Sequence, residues 1–413
     1  MKKLAGTPTI LVLLCAFLVV VFYRFSIFDG HSALGWRVPI DLKIYQLGGA
    51  EVRRGEALYD DSLYGRLPFT YPPFAGAVFQ GLTYLSKNWL IVVWQCGMAV
   101  ALWAVLLMVA REHGLRGVGS VLLTALFTVA MLATEPAHGT LYFGQINVFL
   151  MLLVALDFLP AKRRLPGIGV GVAAGLKLTP AYLGLAFLAE RRWSAVLGAA
   201  LTFAVTVGIG FLVVKDASSF WTDAIFNSSR VGEHTNPGAQ DLRSVLERVL
   251  GITSGPVWIV CAGVVVVLTV LAVYVAQRRG NRSLAMALTG ISSCLISPFS
   301  WYHHWVWVMP LALVVLIELN RRLGARLHGV LGSQVAGALS LLASAAVLFP
   351  FVSEPVFESL SYSELHKIDA LAPWGELLFT GAGVAFIAAY GLGGGLSYLT
   401  TSRKRRAAGT SAS

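Results

Sequence analysis

The chain has 413 residues, of which 56% are hydrophobic and only 13% charged. Soluble domains carry about 25% charged residues, so this composition cannot cover a water-exposed surface, and the solvent left is lipid. The formal charge of +11 raises nucleic acid as a partner, but the distribution of the basic residues points away from it.

Apolar stretches run at residues 8–28, 89–110, 117–134, 146–160, 193–214, 256–276, 284–296, 305–319, 330–352 and 376–399. Most reach the roughly 17–25 residues a helix needs to span hydrocarbon. Residues 146–160 and 284–296 fall short and are expected to borrow from their flanking loops. The first stretch follows Lys2 and Lys3 as a signal peptide would. It lacks a small-residue cleavage site, so it is expected to stay as a signal anchor. Cys15, Cys96, Cys261 and Cys294 lie inside apolar stretches with no metal-ligand spacing; they read as core residues without a disulfide framework. Residues 165–189, between Arg163-Arg164 and Arg191-Arg192, are too few to cross twice. They contain Lys177 and Pro180 in Gly-Leu-Lys-Leu-Thr-Pro and predict a re-entrant or broken-helix element, which survives at membrane depth only inside protein or beside a wet cavity. The expected crossing number is ten to twelve. The fold class is all-α and polytopic, a single membrane domain over residues 1–402 followed by a basic tail at 403–413.

With the N-terminus inside, the even-numbered turns, both termini and Arg191-Arg192 hold 19 of the 32 basic residues, accompanied only by Glu112, Glu190 and Glu318. This is the positive-inside pattern. The run Arg403–Arg406 then reads as a cytoplasmic tail beside anionic lipid. The same parity places residues 29–88, 135–145, 215–255, 297–304 and 353–375 on the outer face. Two of these are long, and long aromatic-rich loops confined to one face are where function concentrates. No phosphate loop, dinucleotide fingerprint or metalloprotease motif is present.

In the first long loop, residues 41–58 predict a helix with Ile44, Leu47 and Ala50 or Glu51 along one stripe, lying along the interface. Asp41 stands at its start, either as an N-cap or as a functional carboxylate. Leu67-Pro68-Phe69-Thr70-Tyr71-Pro72-Pro73-Phe74 predicts a rigid extended path with stacking faces, against the alternative of an interfacial aromatic belt. Gln145 and Asn147 place amides at the outer mouth of a helix. His303 and His304 lie among aromatics at another mouth, in Ser297–Trp305. Ionisable groups at membrane depth are functional by default. The two histidines have three readings: a metal site, a satisfied interfacial pair, or a phosphate or sugar contact. Lys177 either snorkels to an interface or meets an anion.

Taken in order, Asp41-Leu42-Lys43-Ile44-Tyr45, the Gly-Glu-Ala-Leu-Tyr run ending at Tyr59, Leu67–Phe74, Gly144–Asn147, Lys177–Pro180 and Ser297–Trp305 resemble glycosyltransferase family 87. These are polyprenyl-phosphate-mannose-dependent α-1,2-mannosyltransferases of actinobacterial envelope assembly. Gln240, Leu242 and Arg243 keep a family pattern in the second long loop, where Asp241 replaces a small hydroxyl residue. The resemblance implies a class C glycosyltransferase fold, a polyprenyl-phosphate mannose donor and a mannosylated lipid acceptor such as a phosphatidylinositol mannoside or lipomannan. It also implies inverting transfer on the outer face of the plasma membrane, with no metal or other cofactor. On that reading Asp41 takes the proton from the acceptor hydroxyl, while Lys177, His303 and His304 surround the leaving phosphate. Tyr71, Trp301, Gln145, Asn147, Gln240 and Arg243 would hold sugars. The rival readings are transfer of another lipid-linked sugar, such as arabinose, and a flippase or transporter of a lipid-linked sugar. The latter would favour paired broken helices in both halves, and only one broken element is seen.

Overall fold

A computed structural model describes residues 3–24, 37–160, 165–354, 361, 365, 367–368 and 372–393. Lys2, Lys162, Arg163, Arg164 and the basic tail lie outside the described residues. The architecture is helical: α1 (Thr7–Arg24), α2 (Ile40–Arg54), α3 (Pro73–Phe79), α4 (Lys87–Glu112), α5 (Val118–Ala130), α6 (Glu135–Phe143), α7 (Asn147–Phe158), α8 (Ile168–Leu176), α9 (Gly184–Ala189), α10 (Trp193–Val213), α11 (Ala217–Thr222), α12 (Leu242–Leu250), α13 (Gly255–Arg278), α14 (Arg282–Ile296), α15 (Val308–Gly324), α16 (Gly329–Leu348) and α17 (Ala372–Ala388). Ser62–Tyr64 pairs antiparallel with Leu67–Pro68 in a small hairpin.

Among the described residues, five helices are long and apolar enough to cross a membrane: Lys87–Glu112, Trp193–Val213, Gly255–Arg278, Gly329–Phe351 and Gly375–Gly393. A sixth span results if α6 and α7, bent by 116° at a short break, are taken together. Thr7–Phe22, Val118–Ala133, Thr179–Ala189 and Arg282–Ile296 are shorter apolar helices. The expected borrowing by residues 146–160 is therefore visible as an elbow rather than as a straight extension. α14, too short by the same measure, is buried continuously from Ser283 to Leu295 and forms the centre of the bundle. The outer surface is apolar instead, with Leu197, Leu201, Val205 and Leu212 of α10 all exposed. That inversion is expected of spans bathed in lipid. All four cysteines are free; Cys294 is buried and Cys261 half-buried, but Cys15 and Cys96 are exposed, which corrects the reading of all four as core residues. A small apolar side chain costs nothing on a lipid-facing helix surface.

The turns predicted to be cytoplasmic meet at one end of the bundle. The Glu112 carboxylate accepts from the backbone N–H groups of Arg282 (2.7 Å) and Ser283 (2.9 Å) and from Arg282 Nε (3.2 Å). Arg282 Nη1 donates to Pro160 O (3.1 Å), and Asn281 Nδ2 donates to Glu318 Oε1 (2.6 Å). Residues 165–192 start and finish beside Asp157. Its carboxylate accepts from Gly167 N (2.8 Å) and Val170 N (2.7 Å), and its carbonyl from Arg192 Nη2 (3.1 Å). Both ends of the segment are thus held at the end of α7, which is the geometry of a re-entrant element, with Lys177 near its far tip.

The helix of the first long loop packs one face onto the rest of its own loop. α2 buries Leu42, Ile44, Tyr45, Gly48, Gly49 and Val52, so that of the expected stripe Ile44 is buried while Leu47, Ala50 and Glu51 are only half-buried. A Cβ on Gly49 would stand 2.3 Å from the Phe79 carbonyl oxygen, and one on Gly48 would stand 2.6 Å from the Phe69 ring. The glycine pair therefore lets the helix sink onto its own loop. α2 ends at Gly55, whose φ of 72° turns the chain out four residues before the expected end. Phe69 and Tyr71 are buried with Tyr45, Tyr59 and Phe79 in one aromatic cluster; Tyr45 stacks on Phe79 at 4.6 Å and meets Tyr71 edge-on at 5.1 Å. The aromatics thus rigidify the loop from inside.

Candidate active site

One cleft of about 1280 Å³, its open mouth included, gathers residues from six separate stretches of chain. α2 supplies Asp41 and Tyr45, the proline-rich run Tyr71, the elbow Gln145, the re-entrant tip Lys177, and the 297–304 segment Trp301 and His304. The second long loop closes another wall with Phe220, Asn227 and Arg230.

Asp41 lies in the first turn of α2, but Pro39 occupies the cap position and no side chain caps the helix. The N-cap reading is therefore set aside. The carboxylate instead accepts a short hydrogen bond from Gln145 Nε2. Gln145 can reach it because Gly144, at φ 70°, ends α6 and swings the chain into α7. A Cβ at position 144 would lie 2.7 Å from Pro39 Cβ, so glycine lets the elbow touch the start of α2. The Gln145 carbonyl oxygen accepts from the hydroxyls of Tyr45 (3.2 Å) and Tyr71 (3.1 Å), which lie 2.7 Å from each other. This fixes the amide so that its N–H faces Asp41. Burial pushes the Asp41 carboxyl up to about 6, with the Gln145 hydrogen bond and the Lys177 charge opposing the rise.

Lys177 terminates α8 with an extended backbone. Its Nζ donates to Asn147 Oδ1 (3.1 Å), lies 3.0 Å from His304 Nε2, and sits over the Tyr71 ring at 5.5 Å. The snorkelling alternative does not describe this side chain, which turns into the cleft. Asn147 Nδ2 and Thr140 Oγ1 both donate to His303 O (2.9 and 3.0 Å), which orients the Asn147 amide.

Asp41, Tyr71, Gln145, Lys177, Trp301 and His304 thus share the cleft wall, and Asn147 stands behind Lys177. His303, Gln240 and Arg243 do not line it. His303 is buried against Phe143 and His304, with ring centroids 5.0 and 4.9 Å away. Burial, with the neighbouring Lys177 charge, holds both histidine rings well below their usual pKa. Gln240 is fully buried and joins loops: its N–H donates to Ser300 O (2.6 Å) and its carbonyl accepts from Trp305 Nε1 (2.9 Å). The Arg243 guanidinium stands over the Trp258 ring at 6.0 Å. Asp241 caps α12 through Ser244 N (2.9 Å) and also accepts from Ser300 N (3.0 Å), so this departure from the family pattern welds the second long loop to the histidine segment.

Tyr45, Phe220, Asn227 and Arg230 of the cleft were not among the site residues expected from the sequence. Tyr45 was legible in principle, since it follows Asp41 by four residues on the same helix face. Arg230, whose Nη2 donates to Tyr59 O at 3.1 Å, had no local signal in a loop without periodicity.

Residues 69–298 match the profile described as Glycosyltransferase family 87. The chain is 37% identical over 303 residues, 70% of its length and 72% of the relative's, to a polyprenol-phosphate-mannose-dependent alpha-(1-2)-phosphatidylinositol pentamannoside mannosyltransferase of Mycolicibacterium smegmatis. It is 34% identical to the protein of the same description from Mycobacterium tuberculosis, covering 70% of this chain and 69% of that one. A polyprenol-phosphate-mannose-dependent alpha-(1-2)-phosphatidylinositol mannoside mannosyltransferase of Mycolicibacterium smegmatis is 32% identical, covering 70% and 73%. No solved structure matches.

Proposed function

The chain belongs to glycosyltransferase family 87, and from that premise we propose that it transfers mannose from polyprenyl-phosphate mannose to a phosphatidylinositol mannoside, forming an α-1,2 linkage with inversion on the outer face of the plasma membrane. The observation that carries the reading is that, among the described residues lining the cleft, one carboxylate, Asp41, faces one ammonium, Lys177. A lipid phosphate leaves with little need of an acid, so the remaining demand is a base for the attacking hydroxyl. A carboxyl with a pKa of about 6 is ionised at neutral pH yet basic enough to take that proton. As the bond from the anomeric carbon to the phosphate oxygen breaks, negative charge grows on the phosphate, and Lys177 is placed to meet it. Tyr71 and Trp301 give rings on which sugars stack.

Outward orientation is supported by the segregation of the polar contacts. Segments 29–88, 135–145, 215–255 and 297–304, expected outside, all contribute to the cleft, whereas in the turns expected inside Arg282 bonds to Glu112 and Pro160, and Asn281 to Glu318. The mannose donor, not the nucleotide sugars of the cytoplasm, is the substrate available on that side.

The test is transfer from radiolabelled polyprenyl-phosphate mannose to phosphatidylinositol mannosides by purified protein in nanodiscs. An extended glycolipid bearing an α-1,2-linked mannose is expected. Transfer of arabinose alone, or movement of the lipid across the bilayer with no glycolipid product, would overturn the proposal.

A further inference from the structure

Lys177 is held by neutral partners only: among the described residues no carboxylate lies within 4.0 Å of its Nζ, and its contacts are Asn147 Oδ1 and His304 Nε2. An ammonium has donors and no acceptor, so it can bond His304 only through a lone pair on Nε2. The ring proton of the neutral imidazole must then sit on Nδ1. That nitrogen faces Ser300 Oγ at 3.3 Å, an oxygen able to accept it. The Trp301 N–H, 3.2 Å from the same nitrogen, favours the opposite tautomer. It carries no full charge, however, and the ammonium outweighs it. Ser300 is itself fixed at both backbone ends by the second long loop, its N–H donating to Asp241 Oδ2 (3.0 Å) and its carbonyl accepting from Gln240 N (2.6 Å).

We propose that Ser300 is a positioning residue which holds His304 in the Nδ1–H form, so that His304 Nε2 aims the Lys177 ammonium at the phosphate of the lipid-linked donor. His304 then works through Lys177 and does not itself hold the phosphate; Asp241 and Gln240 set the register of the whole relay. The inference rests on the donor chemistry proposed above. It gives Gln240 and Asp241, which do not line the cleft, a means of acting on the phosphate site, because moving them moves Ser300.

The experiment measures two quantities on the full-length protein in nanodiscs: the Kd for polyprenyl phosphate alone, and the KM values for donor and acceptor. Ser300→Ala is expected to weaken polyprenyl phosphate binding about tenfold, the size of one lost charge-coupled hydrogen bond, and to raise the donor KM with the acceptor KM unmoved. Ser300→Thr, which keeps the hydroxyl, should stay within about twofold of wild type. His304→Gln, whose amide oxygen can still accept from the ammonium, should bind better than His304→Leu. Equal loss in the alanine and threonine variants, a donor affinity unmoved by Ser300→Ala, or donor and acceptor KM rising together would overturn the inference. Protein that binds polyprenyl phosphate in this Ser300-dependent way but transfers no mannose would sink the proposed function and leave the relay standing.

Discussion

Gln145 donates its amide N–H to the Asp41 carboxylate while its carbonyl oxygen gathers the Tyr45 and Tyr71 hydroxyls at 3.2 and 3.1 Å. One side chain therefore orients the general base and ties it to the aromatic cluster. Replacing it with leucine leaves two buried hydroxyls without that acceptor and the carboxylate without its donor. Gln145→Leu is expected to lower kcat by roughly tenfold or more, the effect of one or two lost hydrogen bonds near a charge. A kcat within twofold of wild type would show that the amide does not position the base.

Asp41→Asn keeps the side-chain shape and removes the proton acceptor. Transfer should fall by about 10²–10⁴-fold, the usual contribution of a positioned base, with unchanged gel-filtration behaviour and thermal midpoint. Retained turnover would exclude Asp41 from the proton transfer.

The pH dependence follows from the direction of the Asp41 shift. Burial raises this carboxyl from its ordinary value to about 6, so the group is protonated, and useless as a base, below that value. The kcat/KM of the free enzyme should rise with pH through about 6 and level off above it. The same sign makes ionisation of Asp41 a cost to the folded state, lessening stability as pH rises from the ordinary carboxylate range towards 6. A profile already flat at pH 5 would show that the carboxyl titrates normally.

Lys177→Met removes the cation while retaining much of the stem. Donor KM should rise at least about tenfold, as expected for a lost charged contact, with a smaller change in acceptor KM. If both constants are untouched, Lys177 serves only to fill the re-entrant tip.

Gly144→Ala tests the elbow. An alanine at φ 70° costs about 1–2 kcal/mol, and its Cβ would meet Pro39 at 2.7 Å. The variant should melt several degrees lower in detergent and lose activity with the displaced Gln145. Unaltered melting would mean that α2 and the elbow shift apart without penalty.

Several of these residues were legible before any coordinates. Asp41, Lys177, Gln145 and His304 stand out as polar groups in chemically unusual settings, at helix mouths or within apolar runs. The resemblance to family 87 agrees with the profile match and the mannosyltransferase relatives. Other readings did not carry through. Gln240 and Arg243, expected as sugar contacts, do not line the cleft; one bridges loops and the other covers Trp258. Of the 41–58 stripe only Ile44 is buried, because the glycine pair that lets α2 approach its own loop closely contributes nothing to a hydrophobic stripe.

Composition and hydropathy, which depend on neighbours in sequence, were enough to determine that the chain is a membrane protein and where along it the polar segments lie. The partner of each polar group was decided only by packing. Gln145 meets Asp41 across 104 positions, and His304 meets Lys177 across 127. Such pairings arise when an elbow at Gly144 and a re-entrant tip at Lys177 are pressed between helices. The free energy that presses them there belongs to the whole bundle and to no local stretch of sequence.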